Sequence, residues 1–262
     1  RRYLHIIYFT LLILHVYIIV MKIAVVQLGD KAFANNMIGC MHMNSLYCEK
    51  HGYDHIAEES AFPDVNPTNQ KPYIVLKHIY KYDYVVFMDL DACFVNDDIL
   101  LEDIIRKDLS KDVYYADDVG SWPLNAGVLI WKNSYRGIDL LWKWWDSLPK
   151  TLDPEWRVNG GDQTPLINLL QKEEDPFEAW PRKMFNQYPS EFKAGDFLIH
   201  FMGYSIHDVK NHMEFLAKKN MGAEWNGRFL EVLGQFLPNT AERNKAQDYI
   251  LIDNEDVIKR ML

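Results

Sequence analysis

Cysteine is scarce in this chain, and runs of basic residues are missing. The three cysteines, Cys40, Cys48 and Cys93, form no C-x-x-C pair and no even framework. A disulfide scaffold or a thiolate-built metal site is therefore not indicated, and nothing requires an oxidising compartment. No Lys/Arg tract occurs, and 28 basic against 37 acidic residues leave a net charge of −9. That balance excludes the phosphate-backbone footprint of a nucleic-acid binder. An acidic chain that handles phosphorylated ligands recruits a cation instead. Glycine is thin where a phosphate cradle would need it: "QLGDKAF", residues 27 to 33, has one. A nucleotidyltransferase that makes sugar nucleotides would place a Gly-rich basic loop there. No N-x-Ser/Thr sequon without an intervening proline occurs either.

What is present is a large apolar inventory. With 262 residues, 48% apolar and 14% aromatic, the chain can bury one α/β core. A single domain is expected over 21–262, with a polar, helical part from about 205 onward. The first twenty residues, RRYLHIIYFTLLILHVYIIV, stand apart. As a helix, the stretch from Tyr3 to Val20 would span about 27 Å, close to a bilayer core of roughly 30 Å. Two readings remain open: an anchor that associates the chain with a membrane, or a non-native extension before a start at Met21. Cytoplasmic and membrane-associated locations both follow from these readings.

From Met21 the pattern alternates. "KIAVVQL" reads as a strand, "ANNMIGCMHMNSLYCEKHG" as a helix closed by Gly52, and "YDHIAEE" as a second strand. Pro63, Pro67 and Pro72 mark a loop and a helix start, and "KPYIVLKHIYKY" leads into the apolar run "YVVFM". Later come the strands "DVYYADD", "AGVLIW" and "GDFLIHF", with helices in "GIDLLWKWWDSL" and "GGDQTPLINLLQK". This alternation predicts an α/β fold with a Rossmann-like, mostly parallel sheet flanked by helices, which binds ligands beyond the carboxyl ends of its strands.

Asp89 and Asp91 follow the run Val85 to Met88. In an extended chain they project together, roughly 7 Å apart at the backbone. Like charges so placed cost free energy unless a cation lies between them. A solvated acidic loop explains the pair equally well, since Asn96, Asp97 and Asp98 follow with turn chemistry. The "WKWW" stretch, Trp142 to Trp145, offers sugar-stacking surface, but its helical spacing favours core.

Three further stretches join the acidic pair: "LNAGVLIW" at 124–131, "NGGDQTPLINLL" at 159–170 and "NQYPSEFKAGDFLIHFMGY" at 186–204. Together they resemble the metal-dependent glycosyltransferases that include fungal α-galactosyl- and α-mannosyltransferases and plant xyloglucan xylosyltransferases. The likeness runs from about Met21 to Gly203 and is greatest at "YPSEF...GDFLIHFMGY". It implies the glycosyltransferase A fold, a UDP- or GDP-sugar donor, a glycan or glycoprotein acceptor, and retention of anomeric configuration.

Residue by residue, the resemblance implies that Asp91 and His200 ligate a metal, with Asp89 beside them on metal or ribose. Mn²⁺ or Mg²⁺ suits two carboxylates, and an imidazole shifts the preference toward Mn²⁺. Asn125, Asp162 and Gln163 fall where such enzymes hold the donor sugar. Asp162 would be the nucleophile of a covalent route, or Gln163 the stabiliser of a same-face route. Gln27 and Leu28 stand at the end of the first strand, where base and ribose sit. Lys71, Leu90 and Gly203 complete the nucleotide-contacting set. The family's lysine after its His-Phe-x-Gly is displaced here to Lys210, which leaves the diphosphate contact open. The compact, sequon-free chain is more like small bacterial or large-DNA-virus enzymes than a lumenal Golgi enzyme.

Other classes fit less well. A phosphatase of the haloacid dehalogenase type carries Asp-x-Asp on its first strand and follows it with Gly-Thr or a hydroxyl residue, whereas Ala92 and Cys93 follow here. An inactive carbohydrate-binding domain would not need the metal-type residues.

Overall fold

The computed structural model describes residues 21–118, 122–152, 160–173, 175–193 and 195–203. The expectations for residues 1–20, for the helical region from about 205 and for Lys210 lie outside them. No helix among the described residues is long and apolar enough to cross a membrane.

Six strands form one sheet in the order β2-β1-β3-β6-β5-β7. They are β1 (Ile23–Gly29), β2 (Asp54–Glu59), β3 (Tyr84–Met88), β5 (Val113–Ala116), β6 (Asn125–Lys132) and β7 (Phe177–Trp180). β1 pairs parallel with β2 and β3, and β5 parallel with β7. β6 runs against both of its neighbours. Its direction has a simple cause: a parallel crossover needs a dozen or more residues, and the segment 117–124 that joins β5 to β6 is too short for one. The reversal matters for function, because it brings the start of β6 to the edge where β1, β3, β5 and β7 end.

β1 and β3 are buried along their whole length, as continuous apolar strands covered on both faces should be. On one face pack α1 (Lys31–Asn36) and α2 (Ile38–His51), which closes at Gly52 in the left-handed conformation. α4 (Leu101–Ile105) and α7 (Arg182–Phe185) lie on that side too, through Ile104, Ile105 and Phe185. The other face carries α3 (Lys71–Ile79), with Pro72 in its first turn, α5 (Tyr135–Ser147) and α6 (Gln163–Lys172). Within α5 the "WKWW" stretch divides by burial. Trp144 is fully buried and stacks on Trp131 at 5.9 Å, whereas Trp142 faces solvent.

Two expectations need correction. The "GDFLIHF" strand, β8 (Leu198–His200), does not join the main sheet; it pairs antiparallel with β4 (Ala92–Phe94) in a separate two-stranded ribbon. The chain also does not stay extended through the acidic pair. β3 stops at Met88, and a turn follows in which the Ala92 N–H donates to the Asp89 carbonyl at 3.1 Å.

Candidate active site

The turn and the ribbon together build the acidic centre. β4 and β8 pair in the register Ala92↔His200, Cys93↔Ile199 and Phe94↔Leu198, and the Phe201 N–H donates to the Asp91 carbonyl at 2.8 Å. That register sets His200 beside Asp91. His200 Nε2 lies 3.3 Å from Asp91 Oδ1 and 3.9 Å from Asp89 Oδ2. One ligand atom from each of the three residues falls within 4.8 Å of the others. The free edge of β4 is held by a side chain: Asn44 of α2 donates Nδ2–H to the Ala92 carbonyl at 2.9 Å and accepts the Phe94 N–H at 3.0 Å. A single amide thus stands in for a missing neighbouring strand and fixes the chain next to Asp91.

A buried lysine completes the charge balance. Lys71, at the head of α3, places Nζ 2.9 Å from Asp89 Oδ1, 3.1 Å from Asp162 Oδ2 and 3.2 Å from the Ala126 carbonyl. This ion pair is the contact that balances the buried Asp162 Oδ2. Burial pushes Asp89 up to about 6, and Lys71 opposes the rise. Burial also works against charge on Asp91, but the neighbouring His200 outweighs it and holds the carboxyl below its ordinary value. For His200 burial disfavours the imidazolium, yet Asp91 and Asp89 raise its pKa above the usual histidine value. The centre is a negative pair compensated from two sides.

Next to it lies a cluster of amides around Asp118, a residue the motif reading passed over. Its carboxylate accepts Asn125 Nδ2–H at 3.2 Å, Gln163 Nε2–H at 3.2 Å and Asn186 Nδ2–H at 3.0 Å. The opposite ends of these amides are also engaged. Asn125 Oδ1 accepts the Gly127 N–H at 2.8 Å, Gln163 Oε1 accepts the Ala126 N–H at 3.0 Å, and Asn186 Oδ1 faces His200 Nδ1 at 2.8 Å. Asp162 and Gln163 enter α6 through Gly160 and Gly161, whose φ values of 82° and 55° suit glycine. The Asp162 carbonyl accepts Trp144 Nε1–H at 2.9 Å, so the buried tryptophan of α5 anchors this turn.

Gly127 lets these groups meet. A Cβ there would lie 2.4 Å from His200 Cε1 and 3.0 Å from Asp89 Oδ2. The backbone of β6 passes directly behind the acidic centre, and any side chain would fill it.

The remaining sequence-derived residues sit at this edge in varied settings. Gln27 is wholly buried, donating Nε2–H to the Asp89 carbonyl at 3.1 Å and facing His55 Nε2 with Oε1 at 2.8 Å. Leu28 turns into the core under α3, and Leu90 is buried against Gly29. Gly203 is exposed just past β8, with φ 76°. Asp89, Asp91, His200, Lys71, Asp162, Gln163 and Asn125 are thus brought to one place, together with Asp118, Asn186 and Gly127. Asp118 had a signal in the sequence, a carboxylate closing the strand "DVYYADD". Asn186 opens the "NQYPSEF" motif, but nothing in one dimension shows what it touches.

The donor set fits a divalent metal: two carboxylates and one imidazole on a converging geometry, with oxygen donors in the majority.

No protein-family model and no curated protein sequence matches the chain. Solved structures do. A glycosyltransferase involved in glycosylation of the major capsid of PBCV-1 is similar over 74% of this chain and 99% of its own, at 17% identity and a TM-score of 0.62. The glycosyltransferase GlyE of Streptococcus pneumoniae TIGR4 is similar over 82% of this chain, at 18% identity and a TM-score of 0.52. The matched part spans 63% of the length of GlyE. Likeness at these identities speaks to architecture, and the architecture is the glycosyltransferase A fold.

Proposed function

We propose that the chain is a metal-dependent, retaining glycosyltransferase that moves a hexose or pentose from a UDP- or GDP-sugar to a glycan or glycoprotein acceptor. The observation that carries this reading is the convergence of Asp89, Asp91 and His200 beside the Asp118 amide cluster, at the strand-end edge of this fold. The four ordered motifs further support a place near the fungal α-galactosyl- and α-mannosyltransferases and the plant xylosyltransferases.

Bound at Asp89, Asp91 and His200, Mn²⁺ or Mg²⁺ would act as a Lewis acid on the diphosphate as negative charge grows there. The chain's own groups do the rest. Lys71 holds Asp89 and Asp162 in place and adds positive charge beside the leaving group. Asp162 and Asp118 supply negative charge for an anomeric carbon that becomes oxocarbenium-like. The second lone pair of Gln163 Oε1 remains for the same purpose. No side chain in the cluster is a free base, since Asp162 is ion-paired to Lys71, Asp118 accepts three amide N–H groups, and Asp89, Asp91 and His200 face the metal position. A same-face displacement suits this, because the departing phosphate can take the acceptor's proton.

The test is turnover. Release of nucleoside diphosphate from UDP- and GDP-sugars should need Mn²⁺ or Mg²⁺, and Asp91→Ala and His200→Ala should lose it together with metal-dependent nucleotide binding. Undiminished binding in both variants would remove the site. Proton NMR should give an α-linked product from an α-linked donor, and a β-linked one would overturn the retaining mechanism.

A further inference from the structure

We infer that Asn186 is a positioning residue that fixes the tautomer and orientation of His200, with Asp118 deciding which way its amide points. This rests on the metal reading of Asp89, Asp91 and His200. One line of hydrogen bonds runs from Asp118 through Asn186 to His200. The Asp118 carboxylate can only accept, so the Asn186 group 3.0 Å away must be its NH₂. The amide oxygen is therefore the end facing the ring, 2.8 Å from His200 Nδ1. An amide oxygen can only accept, so Nδ1 carries the proton. In the neutral ring Nε2 is left with its lone pair, and Nε2 is the atom that faces Asp91 and Asp89.

Burial makes the relay binding in both senses. Asn186 is 1% exposed and His200 2% exposed, so bulk water cannot replace a lost partner. A ring without a fixed partner at Nδ1 samples both tautomers, and in one of them Nε2 carries a proton and cannot ligate. Metal-ligating imidazoles are usually held by an acceptor on their other nitrogen, and losing that acceptor typically weakens metal binding by about 10- to 100-fold. Here the acceptor is an amide with a carboxylate one step behind it. The same carboxylate also holds Asn125 and Gln163, which physically ties the metal ligand to the sugar side.

The test uses the full chain and two readouts that do not depend on activity. ¹⁵N–¹H correlation spectra of the metal-free protein, at alkaline pH where the ring is neutral, should show His200 protonated at Nδ1. Calorimetry with Mn²⁺ alone gives affinity. Asn186→Ala should yield a mixed tautomer and a Mn²⁺ Kd about 10- to 100-fold weaker, with thermal unfolding confirming that the variant is folded. The exchanged pair Asp118→Asn with Asn186→Asp keeps both an acceptor for His200 and a donor behind it. It should restore the Nδ1–H tautomer and bring Mn²⁺ affinity to within a few-fold of the original. An Asn186→Ala protein with an unchanged tautomer and unchanged Mn²⁺ affinity would overturn the inference. So would failure of the exchanged pair to restore the tautomer. If the unaltered chain binds no Mn²⁺, the metal reading falls, while the tautomer comparison still decides what Asn186 does.

Discussion

Two residues at the centre have effects large enough to measure singly. Gly127→Ala puts a methyl group 2.4 Å from His200 Cε1 and 3.0 Å from Asp89 Oδ2, so ring and carboxylate must move apart. Overpacking of this kind costs about 1–3 kcal/mol. The expected outcome is a folded protein, somewhat less stable, that has lost most of its Mn²⁺ affinity by calorimetry; unaltered affinity would show that the backbone of β6 is not a wall of the site. Lys71→Met removes the cation shared by Asp89 and Asp162, both largely shielded from water. Breaking a buried pair from one side costs about 3–5 kcal/mol. Denaturant unfolding with a chelator present should show a loss of that size, and Mn²⁺ should recover part of it by neutralising Asp89. The sequence suggested Lys71 only as a nucleotide contact. Its partners become visible only when α3, β3 and the start of α6 are assembled, because they are far apart along the chain.

At the scale of elements, the ribbon of β4 and β8 does what no strand of the main sheet could. β3 delivers Asp89, the turn delivers Asp91, and β8 delivers His200 in a fixed register. Asn44 closes the outer edge of β4 from α2. Asn44→Ala leaves the Ala92 carbonyl and the Phe94 N–H buried without partners. Unsatisfied groups of this type cost about 1–3 kcal/mol each. A destabilisation in that range is expected, with faster hydrogen exchange at Phe94 and weaker Mn²⁺ binding; no change in exchange would mean that the ribbon holds without its cap. The apolar runs of β1, β3 and β6 were legible as strands from their residues alone. The direction of β6 was not, since it depends on how short the connection from β5 is. The displacement of β8 into a second sheet had no signal in its residue pattern either, because "FLIH" reads the same beside any apolar neighbour.

Folding stability of the whole molecule should carry a pH-dependent component from His55, on the edge strand β2. Burial, reinforced by repulsion from His42, pushes His55 down to about 4 from a reference near 6.5. The neutral ring donates Nε2–H to Gln27 Oε1. Between these two values His55 binds more protons in the unfolded chain than in the folded one, so the stability tied to this residue is full above about pH 6.5 and is lost as pH drops toward 4. The loss is about 2 kcal/mol after allowing for the partial exposure of the residue. Asp89, held up near 6, and His200, held above the usual histidine value, work in the opposite sense over this range, so the measure is a difference: in the metal-free protein the urea midpoint of His55→Asn should gain on that of the unaltered chain as pH falls from about 6.5 to about 4. An equal slope in the variant would assign the acid sensitivity elsewhere.

The class of fold, most element positions and the available chemistry follow from the residue pattern alone: apolar strands, helical spacing, two carboxylates after a buried run, and a histidine in a separate motif. These are local properties, set by side-chain volume, hydrophobic period and capping, and they survive without knowledge of neighbours. Long-range packing set the rest. It turned the chain at Asp89, set His200 beside Asp91 through the ribbon register, drove Lys71 between two carboxylates, and gathered three amides on Asp118. Each of these is a contact between segments distant in the chain, made where a polar group has been taken from water and must find a partner inside. Which partner it finds depends on the path of every element around it.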